Sequence, residues 1–548
     1  MTPTDTAVTR TRLRAPQEDR TALVEPALAD VPELLEHNRQ LLQRDEIDVG
    51  GRSLRRLGDD ARREFLTAAR RYTSEYRDVE VAPASADAPI FITGHQPTIF
   101  HPGVWFKNFV SGGLARCRGG TAVNLLIDSD TVGNPVLRVP GGTLRSPTTQ
   151  IVAFDSSIQE IPYEEQPILD ESLFGSFDGR VCEQLSSLID NPLLREYWPL
   201  VTARGRATCN LGLSLAQGRH LLERQMGLAT LEIPQSQVCR LPAAHWLIAY
   251  LLTELGRFRE VYNESVRQYR KVNRIRSLNH PVPELAADEG WTEAPLWVWR
   301  SDRPRRRGLF VRRVNNELEL SDHRGWRFSI PSSRDGDVGP TADALDQLAQ
   351  RGVKIRTRAL STTLLARLLL GDVFLHGIGG AKYDQLTDAL FQQFFGLEPP
   401  RFMVLSATIK LPLPREEITP EDLRRADQML RDLAYHPEHH VDPSKLAPDA
   451  ARAAQELIDA KLRWVATPPT ADNARRRCHE IRRANEGLQD YLTGQRSKLE
   501  SQSVELDRQL RAGAALGWRE YGFCLYPKRT LYDFYAGNSC FQTVGYGA

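Results

Sequence analysis

Residues 91–108 read FITGHQPTIFHPGVWFKN, and this stretch limits the fold more than any other. The run IFIT is β-rich and stops at Gly94. GVWFKNFVSGGLARC reads as a helix, with Pro102 as its start signal. TAVNLLID is a second apolar, partly β-branched run that ends at Asp128. Strand, helix, strand is a βαβ unit, whose crossover is right-handed and whose strands are parallel. Both strands therefore end on the same sheet edge, with Gly94-His95-Gln96 beside Asp128-Ser129-Asp130. Ligands of open α/β sheets bind at that edge.

The residue types there suit phosphate chemistry. His95 and His101 flank a tight turn and can donate to phosphate oxygens or stabilise developing charge. Lys107 adds a point charge, and the helix beginning near Gly103 offers free N–H groups and a positive dipole end. Asp128 and Asp130 suit an amine, a ribose or Mg²⁺. All four His and Asp residues read equally well, one at a time, as helix caps.

A second α/β segment covers 360–410. STTLLARLLL is helical, DVFLHG a strand, IGGAK a loop, YDQLTDALFQQFFG a helix and RFMVLSATIKL a strand. Gly377, Gly379 and Gly380 permit close backbone approach, and Lys382 sits where a helix begins. That is the physics of an anion cradle, although GxxxxGK[ST] is absent. Arg356 and Arg358 precede the segment and are either ligands for a carboxylate or phosphate or a solvated basic turn. The histidine-rich Tyr435–His440 reads as an interhelical loop rather than a metal site. The tryptophans of EAPLWVWR read as core packing before a substrate platform.

Composition narrows the function classes. Lys plus Arg total 71 against 70 Asp plus Glu, so no whole-chain field holds a nucleic acid or an anionic membrane. The 7 cysteines form no CxxC pair, which argues against thiolate zinc and a disulfide framework and favours a reducing cytoplasm. The most apolar runs, near 246–255 and 364–370, are too short to span a bilayer.

Several of these segments, in order, resemble the BshC family, the cysteine-adding enzymes of bacillithiol synthesis. FITGHQPTIFHPGVWFKN resembles that family's TGQQ-type signature, and NLLIDSDTVGN its next strand with a D-x-D end. RPRRRGLFVRR is similar to its later β patch, and RALSTTLLARLLLGDVFLHGIGGAKYDQL to its helix, strand and Gly-rich loop. The charged helices and GFCLYPKRTLYDF resemble its coiled coil and terminal segment. The resemblance implies an α/β fold: a Rossmann-like parallel sheet core with inserted β and helical connective segments and a long α-helical hairpin used in dimerisation. It implies a nucleotide facing Gly94, His95, Gln96 and His101, with Gly379 and Gly380 as a second contact. His95 stands where the family has glutamine, and Lys382 where it usually has an acid, a change that reverses the preferred charge of a bound group and leaves the donor open. The opening turn also resembles the HQPxxFP start of a WbqC-like sugar-pathway family.

The resulting expectation is a cytoplasmic, nucleotide-dependent ligase or transferase joining an amino acid or amine to a small anionic or sugar acceptor. His95, His101, Asp128 and Asp130 are the catalytic candidates. Gly94, Gln96, Gly379, Gly380 and Lys382 are expected at ATP or another nucleotide with Mg²⁺, and Lys107, Arg358 and Tyr383 at the substrate. The alternative is a non-catalytic ligand-binding or dimerisation scaffold. The expected divisions are a disordered tail over 1–30, core halves at 31–135 and 331–413, insertions over 136–330, a helical hairpin over 414–514 and a C-terminal segment over 515–548.

Overall fold

The computed structural model of the protein describes residues 13–79, 88–156, 161–332, 335–414 and 418–538. Most of the linker expected before Ile90, residues 1–12 of the expected tail, and Cys540 lie outside the described residues. The described residues form two compact units, one drawn from 1–139, 150–412 and 519–548, the other from 140–149 and 413–518.

The first unit is built on a mixed sheet. Its strands are β1 (Thr21–Glu25), β2 (Ile90–His95), β3 (Thr121–Leu126), β6 (Leu231–Pro234), β13 (Val373–His376) and β14 (Met403–Thr408), in the order β1-β14-β13-β2-β3-β6. The five strands β14, β13, β2, β3 and β6 run parallel, and only β1 is antiparallel, on β14. Every residue of β3 and β14 is buried, as expected for strands covered on both faces. The expected disordered tail is therefore corrected over residues 21–25. Thr21, Leu23 and Val24 pair with β14, satisfying its otherwise open edge.

Between these strands lie α1 (Val31–Leu42), α2 (Leu54–Ser74) and α3 (Pro102–Cys117), then a two-stranded pair of β4 (Val136–Gly142) and β5 (Pro147–Ala153). Helices α4 to α10 run between residues 171 and 273, with α8 (Gln235–Val238) directly after β6. A second, antiparallel sheet holds β7 (Ala287–Asp288), β8 (Trp291–Arg300), β9 (Arg303–Val314), β10 (Glu317–Ser321), β11 (Arg327–Pro331) and β12 (Val353–Thr357). β12 pairs with β8, so residues 353–357 belong to this sheet rather than to the second half of the core. Then follow α11 (Gly339–Gln350), α12 (Ala359–Leu365) with a π-helical turn Ala366–Leu370, and α13 (Ile378–Phe394). The C-terminal helix α18 (Lys528–Asn538) lays Tyr535 on Phe109 of α3, with ring centroids 4.1 Å apart.

The second unit holds α14 (Pro420–Tyr435), α15 (Pro448–Ala466), α16 (Ala474–Gln489) and α17 (Thr493–Leu516). α14 packs on α17 and α15 on α16, over a small core of Leu433, Ile458, Leu488, Leu492 and Leu499. The expected hairpin is thus a four-helix arrangement, with a 3₁₀ turn at Asp490–Leu492 between α16 and α17. No helix among the described residues is long and apolar enough to cross a membrane.

Candidate functional site

The parallel register sets the site. Gly94 and His95 sit opposite Leu125 and Leu126, while Leu375 of β13 sits opposite Thr93. The β2, β3 and β13 ends therefore share one edge. A cavity of about 790 Å³ opens there, lined by Gly94–Gln96 and His101–Lys107 residues on one side and by His376–Asp384 residues on the other. Stretches near 95 and near 380 thus line one cavity.

On the β2 side, packing has fixed most of the polar groups. His101 is the N-cap of α3, and its Nδ1 accepts from the Gly103 N–H at 3.1 Å. Pro102 has no N–H, so the first turn of α3 is largely satisfied and is not the free anion site the sequence suggests. A Cβ on Gly103 would lie 2.1 Å from the Ala407 carbonyl oxygen, so glycine is what lets the helix start against β14. Lys107 is buried and donates to the Gly94 carbonyl at 3.0 Å. Burial lowers its ammonium pKa to about 8.

The two histidines are neutral and differ in character. Burial and then Lys107 push His95 down to about 3, and burial and then Arg519 push His101 down to about 4. His95 Nδ1 lies 3.0 Å from the Gln96 carbonyl, which can only accept, so Nδ1 carries the proton and Nε2 the lone pair. His101 accepts at Nδ1, so its Nε2 carries the proton. One ring thus offers an acceptor and the other a donor.

The β13 side is different. No side chain caps Gly377, and α13 begins with Ile378, Gly379 and Gly380. A Cβ on Gly379 would meet nothing within 4 Å, whereas one on Gly380 would lie 2.8 Å from His376 Nδ1. His376 is 4% exposed, with its ring against Phe374 and Phe402. Its Nε2 lies 2.8 Å from Asp384 Oδ2. The same carboxylate oxygen accepts from Arg367 of the π-helical turn, which also pairs with Asp388. Burial opposes ionisation of Asp384, but Arg367 and His376 outweigh it and hold the carboxyl well below its usual range. Lys382 is exposed and Tyr383 half-buried, both lining the cavity. Arg519, from the C-terminal segment, and Arg14 line it as well.

Three expected site residues turn away from the cavity. Asp128 is buried and accepts from the Ser236 N–H at 2.9 Å and from its hydroxyl, so it caps α8. Burial, then nearby Glu164, raises its pKa. Asp130 accepts from Gln96 Nε2 at 3.0 Å and from Arg306 at 2.9 Å. Both aspartates are thus held by protein donors rather than presented to an amine or Mg²⁺. Arg358 donates to Glu293 at 2.7 Å and stacks 4.1 Å over Trp297, so it holds the second sheet. Among the described residues, no group of three or more His, Cys, Asp or Glu is arranged to hold a metal ion.

His376, Asp384 and Arg367 are additions that sequence reading did not single out. The sequence did carry a signal: a histidine ending a strand, directly before the glycine turn, with Asp384 two turns into the helix. Compared with known proteins, the chain matches no family model and no curated sequence.

Proposed function

We propose that this cavity is the site of a nucleotide-dependent ligase or transferase that joins an amino acid or amine to a small anionic or sugar acceptor, on a Rossmann-like core of the kind the BshC resemblance implies. The observation that carries the reading is the pairing of an uncapped helix start, α13, with a wall of neutral histidines at the C-terminal edge of parallel strands. The cavity, about 790 Å³, suits a nucleotide with a small second substrate. The α13 first turn, Lys382 and Arg519 would hold phosphate oxygens there, and a bound nucleotide would supply activation of a carboxylate or sugar. His95, through Nε2, accepts from an amine or hydroxyl, and His101 donates from Nε2–H to an oxygen. Magnesium, if bound with the phosphates, needs only one or two protein carboxylates, for which Glu520 lines the cavity.

Thermal-shift measurement with ATP and other nucleoside triphosphates, with and without Mg²⁺, tests the reading. A concentration-dependent rise in Tm that Lys382→Glu reduces supports it. No shift with any nucleotide sinks it.

The second reading, a binding or dimerisation scaffold, is favoured by Met429, Tyr435, Leu462, Val465 and Val504, all exposed apolar side chains in the second unit. A homodimer through these helices is compatible with either reading. Light scattering of the full chain checks it, and a monomer at micromolar concentration removes it.

A further inference from the structure

The second sheet carries a charged feature far from the β2 and β13 ends in sequence. β8 and β9 pair antiparallel with Arg300 opposite Arg303, and β10 and β11 with Ser321 opposite Arg327. Their connecting turns, 301–302 and 322–326, flank a small cavity of about 90 Å³. Arg300, Arg303, Arg305 and Arg324 line it, with Asp322 and Trp326. Arg303, Arg305 and Arg324 are exposed. Arg300 pairs with Asp302, whereas Arg303 and Arg324 form no ion pair among the described residues. Asp322 Oδ1 accepts from the Arg324 and Trp326 N–H groups, at 2.8 and 3.0 Å, so this carboxylate shapes the turn. Four guanidiniums thus stand against two carboxylates, in a chain whose net charge is only +1.

Beside it, and sharing Gly325 and Trp326, lies a larger cavity of about 590 Å³. Its other walls include Asp288, Glu289, Trp291, His323 and Arg327. Arg312 and Arg327 sit over the Trp291 ring, at 4.8 and 5.1 Å, so half-buried Trp326 is the indole left for a ligand. Asp288 and Glu289 are exposed and form no ion pair among the described residues. Neither cavity shares a lining residue with the one at the β2 and β13 ends.

We propose that these two cavities form one site for a sugar phosphate, whose phosphate enters the arginine-lined space and whose hydroxylated body lies against Trp326. The site does not rest on the nucleotide reading. Like charges gathered around one small space repel, and a phosphate dianion there offsets the excess. A guanidinium fork matches phosphate oxygens two at a time, which an ammonium does not. Size decides how much of the ligand enters. About 90 Å³ is far below the ~300 Å³ of a pocket that encloses a small molecule, so only the charged group fits. The carboxylates decide what the rest is. Asp288 and Glu289 repel a second phosphate, as in a nucleic-acid strand, but accept hydrogen bonds from hydroxyls. The indole of Trp326 offers a flat apolar surface for the C–H face of a sugar ring. The frame is set before any ligand arrives: the Ser301 N–H donates to the Gly352 carbonyl at 3.0 Å, and Trp299 Nε1 donates to Glu165 at 2.8 Å.

Isothermal titration of the full chain with glucose 6-phosphate, ribose 5-phosphate, inorganic phosphate and a single-stranded RNA oligonucleotide tests the site. A sugar phosphate is expected to bind more tightly than inorganic phosphate. Arg303→Glu combined with Arg324→Glu, both at exposed positions, is expected to weaken it roughly 10-fold or more, since charge-assisted bonds are lost. Arg324→Gln alone is expected to weaken it in the same direction, and covers the case of a double variant that does not fold. Asp288→Ala is expected to weaken the sugar phosphate and not inorganic phosphate, and Lys382→Glu, in the other cavity, to leave both unchanged. Failure of both sugar phosphates to bind, or binding that survives every arginine change, overturns the site. Binding that Lys382→Glu abolishes also overturns it, by placing the ligand in the other cavity. A sugar phosphate that binds no more tightly than inorganic phosphate overturns the sugar body. RNA that competes with the sugar phosphate and binds more tightly overturns it in favour of a nucleic-acid surface.

Discussion

β2 and β13 are neighbours, run parallel, and each ends in a histidine before a turn into a helix. Their ends nevertheless behave differently. After β2, the α3 start is closed: Pro102 has no N–H, His101 caps Gly103, and Lys107 is drawn under the turn onto Gly94. After β13, the α13 start is open, and its histidine is backed by a buried carboxylate and guanidinium. The contrast teaches that a turn dense in His, Pro and Gly is as readily structural as chemical. The turn at His95 is crowded because a mostly buried helix must begin hard against β14. The plainer turn at His376 leaves its backbone free, which is what a ligand requires.

The largest test of this contrast is at the buried charges. Asp384→Asn leaves Arg367 with the partly exposed Asp388 as its carboxylate partner beside the Pro400 carbonyl, and should destabilise by roughly 3–5 kcal/mol in urea unfolding. Asp130→Asn, on the β2 side, removes a half-exposed partner of Arg306 and should cost about 1 kcal/mol or less. Equal losses would break the comparison. Next in size is Lys107. The unfolded chain keeps this proton up to about 10.5 and the folded one loses it near 8, so in that window the unfolded state binds more protons and stability rises with pH. The wild type should gain about 3 kcal/mol on Lys107→Met between those limits, read by denaturation at each pH. A flat difference would mean that the ammonium stays charged under the turn.

Much of this arrangement is legible in the sequence, and the illegible parts share a cause. The βαβ unit of β2, α3 and β3 and the later α/β segment follow from apolar runs and punctuation by Gly and Pro, which are local signals. The meeting of residues 94–96 with 376–384 follows from parallel strand direction alone. Partner choice is not local. Ser236 claims Asp128 from 108 positions away, Glu293 claims Arg358 from 65, and Ser406 of β14 pairs with Leu23 from the expected tail. A short D-x-D or an arginine before a helix looks alike whether its partner is a ligand or a distant side chain. Arg367 sits within an apolar helix-forming run, and only the fold brings it to Asp384.

The finest discrimination between the two helix starts comes from one substitution made twice. Gly103 and Gly379 both occupy the second helical position, of α3 and α13 respectively. At Gly103 a methyl group would stand 2.1 Å from a backbone oxygen, and backbone cannot move aside as a side-chain tip can. Gly103→Ala should therefore destabilise by about 1–3 kcal/mol or more. At Gly379 the methyl group would meet nothing, and alanine orders the unfolded chain less expensively than glycine. Gly379→Ala should raise stability by about 0.4–1 kcal/mol while crowding the open side of the α13 start, so that ATP binds more weakly in a more stable protein. Opposite signs of stability change confirm that one start is packed and the other open. A Gly379→Ala protein that is more stable and binds ATP as tightly as the wild type would show that the free space over α13 has no part in holding the anion.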